Sequence, residues 1–287
     1  MGASRVIQTS RLEMNVAVSG VAGRPVVLLL HGFPQHAGEW DGISEALADT
    51  FHVVAPDLRG MGATAAPAEG YDAESQCQDV LALIDALGVG PVHLVSHDYG
   101  AVIGQLLALQ HPALFSTHLI LATPHVWLRP SLPMLSQAWR LWFQPVIASP
   151  LGPRLIGTGN QSLLRHLLTA FAFRTMPPER VESYLAPWRD PARARAGSLV
   201  YRHLVLPMLG RIAAGAFRNE HLSIPTRILC GGEDKGMPAS VVDQGYAGHA
   251  DSLEVVTVEG AGHYLADDRP DAVVEHIGDL TSGGHRG

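Results

Sequence analysis

Residues 92–104 read VHLVSHDYGAVIG, and this stretch decides the fold that the sequence predicts. The apolar run at 92–95 is typical of a buried strand, and the residues after Gly100 are typical of a helix. Asp98 lies between them, with one small residue two positions before it, Ser96, and another two positions after it, Gly100. A sharp strand-turn-helix connection needs small neighbours there, because its central residue adopts a strained backbone conformation. The stretch therefore predicts a strand, a tight turn that presents the Asp98 side chain, and a helix.

The aspartate at the centre of this turn indicates the chemistry. A serine at such a position attacks carbonyl carbon, whereas a carboxylate can displace a leaving group from saturated carbon and form an ester with the protein. Epoxides and alkyl halides are substrates for a displacement of that kind. Aspartate is also a frequent N-cap residue, so Asp98 by itself is compatible with an ordinary helix start.

A second motif, HGFP at 31–34, follows an unbroken apolar run of the kind found in buried parallel strands. Gly32 permits an unusual backbone angle and Pro34 stiffens the exit of the turn, which would aim the Phe33 amide inward. Together with the Tyr99 amide, it would form an oxyanion hole. The same four residues are also compatible with a purely structural turn.

Two further motifs end predicted strands in the last third of the chain. GGED at 231–234 presents Asp234, and GAGHY at 260–264 presents His263. Taken singly, a histidine is often a surface or core residue, and Asp234 is compatible with a turn. Asp98, Asp234 and His263 nevertheless follow one another in chain order, each at the carboxyl end of its own strand, where open α/β sheets bind ligands. The set therefore predicts a catalytic site.

The alternation of strand and helix signals predicts the domain organisation. Residues 1–123 and 223–287 alternate in this way, which predicts an α/β fold with a mostly parallel central sheet flanked by helices. In the second of these parts we expect helices at 239–247 and 264–280. Residues 124–222 have no clear strand signal and are punctuated by prolines, so we expect a helical cap inserted between the two parts of the core.

Composition excludes several classes of function. The chain of 287 residues carries a net charge of -7, and its basic residues form no continuous stripe, so nucleic acid is not an expected partner. Its apolar runs are far shorter than the roughly 20 residues that cross a bilayer, and no leader peptide is apparent. Cys77 and Cys230 would form one disulfide at most. We expect a cytoplasmic protein, and a homodimer is compatible with the sequence.

Four motifs together resemble one family. The chain is similar to α/β-hydrolases of the epoxide hydrolase and haloalkane dehalogenase branch, and most similar to bacterial epoxide hydrolases. The resemblance extends over nearly the whole chain. It is carried by HGFP at 31–34, PDLRGMG at 56–62, HDYG at 97–100 and GHY at 262–264.

The resemblance implies roles for the residues that match the family motifs. Asp98 would be the nucleophile, His263 the base and Asp234 the acid that orients it, while the Phe33 and Tyr99 amides would form the oxyanion hole. The implied reaction converts a small apolar epoxide and water into a vicinal diol, without a metal or an organic cofactor.

The resemblance also implies two hydrogen-bond donors on the cap for the epoxide oxygen. Tyr201 matches one of them, and Trp139 stands where the family usually has the other, a tyrosine. An indole N–H donates a hydrogen bond but cannot give up its proton as a phenol can. Tyr184 and His166 are alternative partners for Tyr201, and packing within the cap is an alternative for Trp139.

The sequence also indicates residues for substrate binding and is compatible with two other functions. His31 and Pro34, on the turn that carries Phe33, are assigned to the substrate-binding wall. A haloalkane dehalogenase would use the same three catalytic residues, but the family tryptophan that grips halide is replaced by Tyr99. A catalytically silent hydrolase fold that binds a small apolar ligand is the third alternative.

Overall fold

The computed structural model of the protein describes residues 3–132, 138–236 and 238–283. Each of the three predicted parts therefore includes residues outside the described ranges, at 1–2, at 133–137, and at 237 and 284–287.

One eight-stranded sheet organises the described residues, in the order β1-β2-β4-β3-β5-β6-β7-β8. The β1–β2 and β2–β4 pairs are antiparallel and the other pairs are parallel. The predicted α/β fold with a mostly parallel sheet is confirmed. The strands are β1 Ala3–Gln8, β2 Glu13–Ser19, β3 Val26–Leu30, β4 His52–Pro56, β5 Val92–His97, β6 Phe115–Leu121, β7 Thr226–Gly231 and β8 Leu253–Val258.

Helices cover both faces of this sheet, and apolar clusters fill the space between the layers. Strand β3 is buried along its whole length, as its uninterrupted apolar sequence predicts. The helices of the core are α1 Asp41–Leu47, α2 Ala73–Leu87, α3 Asp98–Gln110, α10 Ala239–Val242, α11 Leu265–Asp268 and α12 Pro270–Thr281, with short 3-10 helices at Ala37–Trp40 and Pro112–Leu114.

The connection from β6 to β7 is helical in its described residues. It contains α4 Phe143–Ala148, α5 Gly152–Gly157, α6 Ser162–Ala170, α7 Pro178–Leu185, α8 Pro191–Val200, a π-helix at Tyr201–Val205, α9 Leu206–Ala213, and 3-10 helices at Ala138–Leu141 and Ala186–Arg189. None of the described helices combines the length and apolar character needed to cross a membrane. Cys77 and Cys230 are both buried and are not joined to each other.

Two predicted helices are wrong in extent. The predicted helix 239–247 ends at Val242, and Gly245 and Gly248 beyond it have φ of 88° and 81°, which is incompatible with a continuing helix. The predicted helix 264–280 is divided into α11 and α12. Arg269 between them has φ -141° and ψ 61°, because Pro270 disfavours helical backbone in the residue before it.

Candidate active site

The turn between β5 and α3 holds Asp98 in the left-handed region, with φ of 49°. Such a backbone is unfavourable for a residue with a side chain, so the surrounding contacts must maintain it. A Cβ added to Gly100 would lie 2.4 Å from the carbonyl oxygen of His31, and one added to Gly32 would lie 2.6 Å from Cβ of Asp98. The two predicted turns therefore pack directly on each other, and only glycine fits at either contact.

Three predicted residues meet at the carboxyl edge of the sheet. Asp234 follows β7 and His263 follows β8, and the Asp234 Oδ2 atom lies 3.1 Å from Nδ1 of His263. The opposite ring nitrogen of His263, Nε2, lies 3.9 Å from Oδ2 of Asp98. The amide of Phe33 donates to the same Asp98 oxygen at 3.4 Å. The structure thus brings together the predicted Asp98, Asp234 and His263 side chains and the Phe33 amide.

Opposite charges stabilise one another in this group. Burial by itself would raise the pKa of Asp98, but the interaction with His263, the charge of His97 and the Phe33 amide outweigh it and lower that pKa below 3.8. Burial by itself would lower the pKa of His263, but Asp234 and Asp98 raise it from 6.5 to about 10. At neutral pH the resting site therefore holds an Asp98 carboxylate beside a His263 imidazolium.

A cavity of about 130 Å³ opens over Asp98. For comparison, a cavity of about 150 Å³ lined by apolar side chains is large enough for benzene. No lysine or arginine is among the described residues that line it. Its apolar wall comes from the core and from the β6–β7 connection: Phe33, Val102, Ala122, Pro124, Val126, Leu141, Phe143, Leu167, Phe171, Val205, Met208, Leu209 and Ile212.

A second apolar cavity of about 390 Å³ adjoins the first. The two share several lining residues, among them Pro124, Leu141, Leu209 and Ile212. The two cavities therefore lie next to each other, with these residues between them.

Tyr201 faces the cavity from the π-helix and is 3% exposed. Its ring packs edge-on against Phe33, with centroids 5.0 Å apart. Burial, followed by the charge of Asp98, raises the pKa of Tyr201 above its usual value, so the phenol stays protonated and can donate. Tyr99 also lines the cavity, and its buried hydroxyl has no hydrogen-bond partner among the described residues.

The structure does not bring the other three predicted cap residues to Asp98. Trp139 is 69% exposed, and the Arg140 guanidinium lies over its ring. His166 is exposed on α6. Tyr184 is fully buried away from the cavity, where its hydroxyl donates to both carboxylate oxygens of Asp267. These placements follow from packing between helices, which no local motif encodes.

His31 and Pro34 lie behind the cavity wall. The Nε2 atom of His31 accepts a hydrogen bond from the Leu58 amide at 2.9 Å, which fixes the neighbouring turn. The carbonyl of Pro34 accepts from the Trp188 indole at 2.8 Å. Both residues support the turn that carries Phe33, and neither lines the cavity.

Sequence reasoning missed several residues around the site. Tyr264, next to His263, lines the cavity, and so do Gln105 and Gln144. The carbonyl of Phe171 accepts a hydrogen bond from the His263 amide at 2.8 Å, so the connection between β6 and β7 also holds the histidine loop. Adjacency to His263 was a usable signal for Tyr264. No local signal exists for residues that reach the site from separate helices.

Comparison with known proteins places the chain in a family. The model of the alpha/beta hydrolase family matches residues 27–276, so the chain belongs to that family and is a hydrolase. It is 27% identical to epoxide hydrolase 4 of Mus musculus, over 93% of this chain and 76% of that protein. It is also 27% identical to a fluoroacetate dehalogenase of a Burkholderia species, over 98% of this chain and 96% of that protein.

Solved structures share the fold. Cfl2 from Burkholderia cenocepacia superposes with a TM-score of 0.83 at 22% identity, over 96% of this chain and 94% of that one. The resemblance to the epoxide hydrolase branch is thus confirmed at the level of family and fold.

Proposed function

We propose that the protein is an epoxide hydrolase that opens an apolar epoxide to a vicinal diol. The observation that carries the proposal is an aspartate, not a serine, on the turn after β5, 3.9 Å from a histidine and inside an apolar cavity that also contains Tyr201. A carboxylate suits displacement at saturated carbon. An expelled alkoxide needs an acid, and a neutral tyrosine supplies one.

In the first step, an Asp98 oxygen attacks a ring carbon while the bond from that carbon to the epoxide oxygen breaks. Tyr201 donates its proton to the expelled oxygen and is reprotonated from the His263 imidazolium. The products are a neutral ester on Asp98, a new hydroxyl on the substrate, and neutral His263. Because the ester has lost the negative charge that helps to keep His263 protonated, forming it also produces the base for the second step.

In the second step, His263 takes a proton from water and the hydroxide attacks the ester carbonyl of Asp98. The amides of Phe33 and Tyr99 would bind the resulting oxyanion, and losing one such donor typically costs about 3 to 4 kcal/mol. On collapse the departing diol oxygen takes the proton of the added hydroxyl group, which restores the Asp98 carboxylate, and His263 remains an imidazolium. Asp234 would keep the imidazole oriented and stabilise its charge.

We propose that residues 124–222 form the cap of this site, between core parts at 1–123 and 223–287. Side chains of the described part of that segment, including Phe143, Leu167 and Tyr201, line the cavity together with Asp98. Phe143 and Leu167 offer no partner to a buried charge, so their part of the cavity favours an uncharged substrate.

Dehalogenation is the second candidate, since one relative is named as a fluoroacetate dehalogenase. Two features of the cavity argue against it. A substrate carboxylate would find no arginine or lysine among the described lining residues, and neither Trp139 nor Trp142 faces Asp98 to donate an indole N–H to a halide.

One comparison of products tests these functions. The purified protein is incubated separately with styrene oxide, 1-bromohexane and fluoroacetate, and diol, bromide and fluoride are measured. We expect diol only. Halide without diol would replace the proposal with a dehalogenase, and no product from any of a broad panel of epoxides and halides would indicate a silent binding protein.

The covalent step has its own test. His263→Gln removes the base but leaves Asp98, so the ester should accumulate and the intact mass should rise by the mass of the epoxide. Asp98→Ala should show neither turnover nor adduct. A folded His263→Gln variant without an adduct, next to an active wild type, would contradict the two-step reaction.

A further inference from the structure

A second buried carboxylate lies behind the catalytic aspartate. Glu39, in the 3-10 helix Ala37–Trp40, is 1% exposed, and His97, the residue before Asp98, is fully buried. The Nδ1 atom of His97 lies 3.4 Å from each carboxylate oxygen of Glu39. An unpaired carboxylate at this depth would be costly, so the contact with His97 must compensate for its burial.

The Glu39–His97 pair contacts three of the segments that form the active site. Glu39 accepts a hydrogen bond from the Gly32 amide at 3.3 Å, next to the Phe33 amide of the predicted oxyanion hole. His97 directly precedes the nucleophile, Asp98, in the chain. Its Nε2 atom lies 3.1 Å from the carbonyl oxygen of His263, and the two imidazole rings are 5.1 Å apart.

The protonation of His97 follows from its partners. A backbone carbonyl can only accept a hydrogen bond, so Nε2 of His97 must carry a proton. Oε2 of Glu39 is also an acceptor, so a second proton is expected between Nδ1 and that oxygen. With both of these protons the pair as a whole would be electrically neutral, although it contains an acidic residue close to Asp98.

We propose that His97 and Glu39 are a positioning pair in which the His97 imidazolium neutralises Glu39, and that this holds the oxyanion turn, the nucleophile and the histidine loop in register without adding negative charge to the site. The catalytic consequence rests on the proposed function, whereas the charge state of the pair does not.

Loss of His97 and loss of Glu39 should have different effects on the charge near the site. Without His97, the Gly32 amide would still donate to Glu39, so its carboxylate would keep its charge near the site, which raises the pKa of His263 and keeps it protonated. Without Glu39, His97 would be neutral, and the net charge of the pair would not change.

The titratable groups that face the pair are Asp98, His263 and Tyr264 on the cavity side, and His31, Tyr99, Tyr184 and Asp267 on the other elements packed around it.

The test compares Glu39→Gln, His97→Gln and the double variant, with the exposed Glu45→Gln as the control for loss of a carboxylate. In each, the rate of ester hydrolysis is measured against pH. The rate rises with pH as His263 loses its proton. In His97→Gln this rise should occur about one pH unit higher, so the rate at pH 7 should be about tenfold lower. Glu39→Gln and the double variant should keep the wild-type pH profile, because both leave the pair neutral.

A merely structural role would lower the rate in both single variants without moving either profile, and that result would overturn the proposal. A double variant shifted as far as His97→Gln would overturn it too. All variants are first compared with the wild type by circular dichroism and thermal unfolding.

Nitrogen NMR of the histidine side chains tests the charge state independently of activity and of the folding of His97→Gln. Both ring nitrogens of His97 should be protonated at pH 7.5 in the wild type, and Nδ1 should lose its proton in Glu39→Gln. A bare Nδ1 in the wild type would refute the pairing. A protein that makes no diol but shows this NMR pattern would refute the proposed function and leave the pairing standing.

Discussion

Asp98 and His263 control each other's charge. Asp234 and then the Asp98 carboxylate raise the pKa of His263 from 6.5 to about 10, so the resting histidine is protonated at neutral pH. Ester formation removes that carboxylate charge. Ester formation therefore lowers the pKa of His263 and makes the base more available after the substrate is attached.

Asp98→Asn imitates the neutral ester and should lower the pKa of His263 from about 10 toward its reference value. Because the folded pKa lies above 6.5, charged His263 stabilises the wild type fully below pH 6.5 and loses this contribution as the pH rises toward 10. An NMR titration of His263 measures the pKa. Asp49→Asn, at an exposed position, is the control, and an unchanged His263 pKa in Asp98→Asn would contradict the coupling.

Tyr201 should be the proton donor for ring opening. Tyr201→Phe keeps the packing against Phe33 but removes the hydroxyl, so the rate of ester formation should fall about a hundredfold, within the usual range for general acid catalysis. Single-turnover mass spectrometry measures it. Tyr246→Phe removes a hydroxyl that bonds Asp243 and should leave the rate unchanged. Equal rates in wild type and Tyr201→Phe would exclude the assigned role.

Among the secondary-structure elements, the two turns that meet under Asp98 were predictable because their signals are local. Small residues around Asp98 and the glycine of HGFP report a backbone requirement within a few positions. Helix α2, Ala73–Leu87, ends at a similarly local signal, because Gly88 follows it in the left-handed conformation, with φ of 62°. The break at Arg269 was missed although Pro270 signals it, because the apolar periodicity continues across the break.

A glycine substitution tests the turn contact. Gly100→Ala places a methyl group 2.4 Å from the His31 backbone oxygen, so the turns must separate, and unfolding free energy should fall by roughly 1 to 3 kcal/mol with loss of activity. Gly278→Ala, in α12, meets nothing within 4 Å and should stabilise the protein by up to about 1 kcal/mol. Urea denaturation measures both, and equal effects of the two changes would contradict the close contact.

For the whole molecule, the important feature is how the helical connection sits on the core. Tyr184 and Arg180 of α7 both bond Asp267 of α11, and the Trp188 indole bonds the carbonyl of Pro34. These contacts hold the apolar wall over Asp98. They also explain why Tyr184 is a docking residue in this structure and does not face the cavity.

The two adjoining cavities predict a preference for chain length. Along a series of terminal epoxides with longer alkyl chains, kcat/KM should rise about fourfold per buried methylene, from about 0.8 kcal/mol each, until the second cavity is full. Ile212 lines both cavities, and Ile212→Trp would place a larger side chain between them. This change should abolish the gain in kcat/KM for long-chain epoxides and leave kcat/KM for short-chain epoxides unchanged. A flat series in the wild type would contradict binding in the second cavity.

The sequence by itself determined the alternating core, the turn that presents Asp98, and the chain order of Asp98, Asp234 and His263, because each of these signals lies within a few residues. Tertiary structure alone decided that Tyr201 reaches the cavity while Trp139 faces solvent. It also joined Glu39 to His97 across 58 positions of the chain. Such contacts depend on how separate elements pack, and burial and charge at a position are set by neighbours that are distant in sequence.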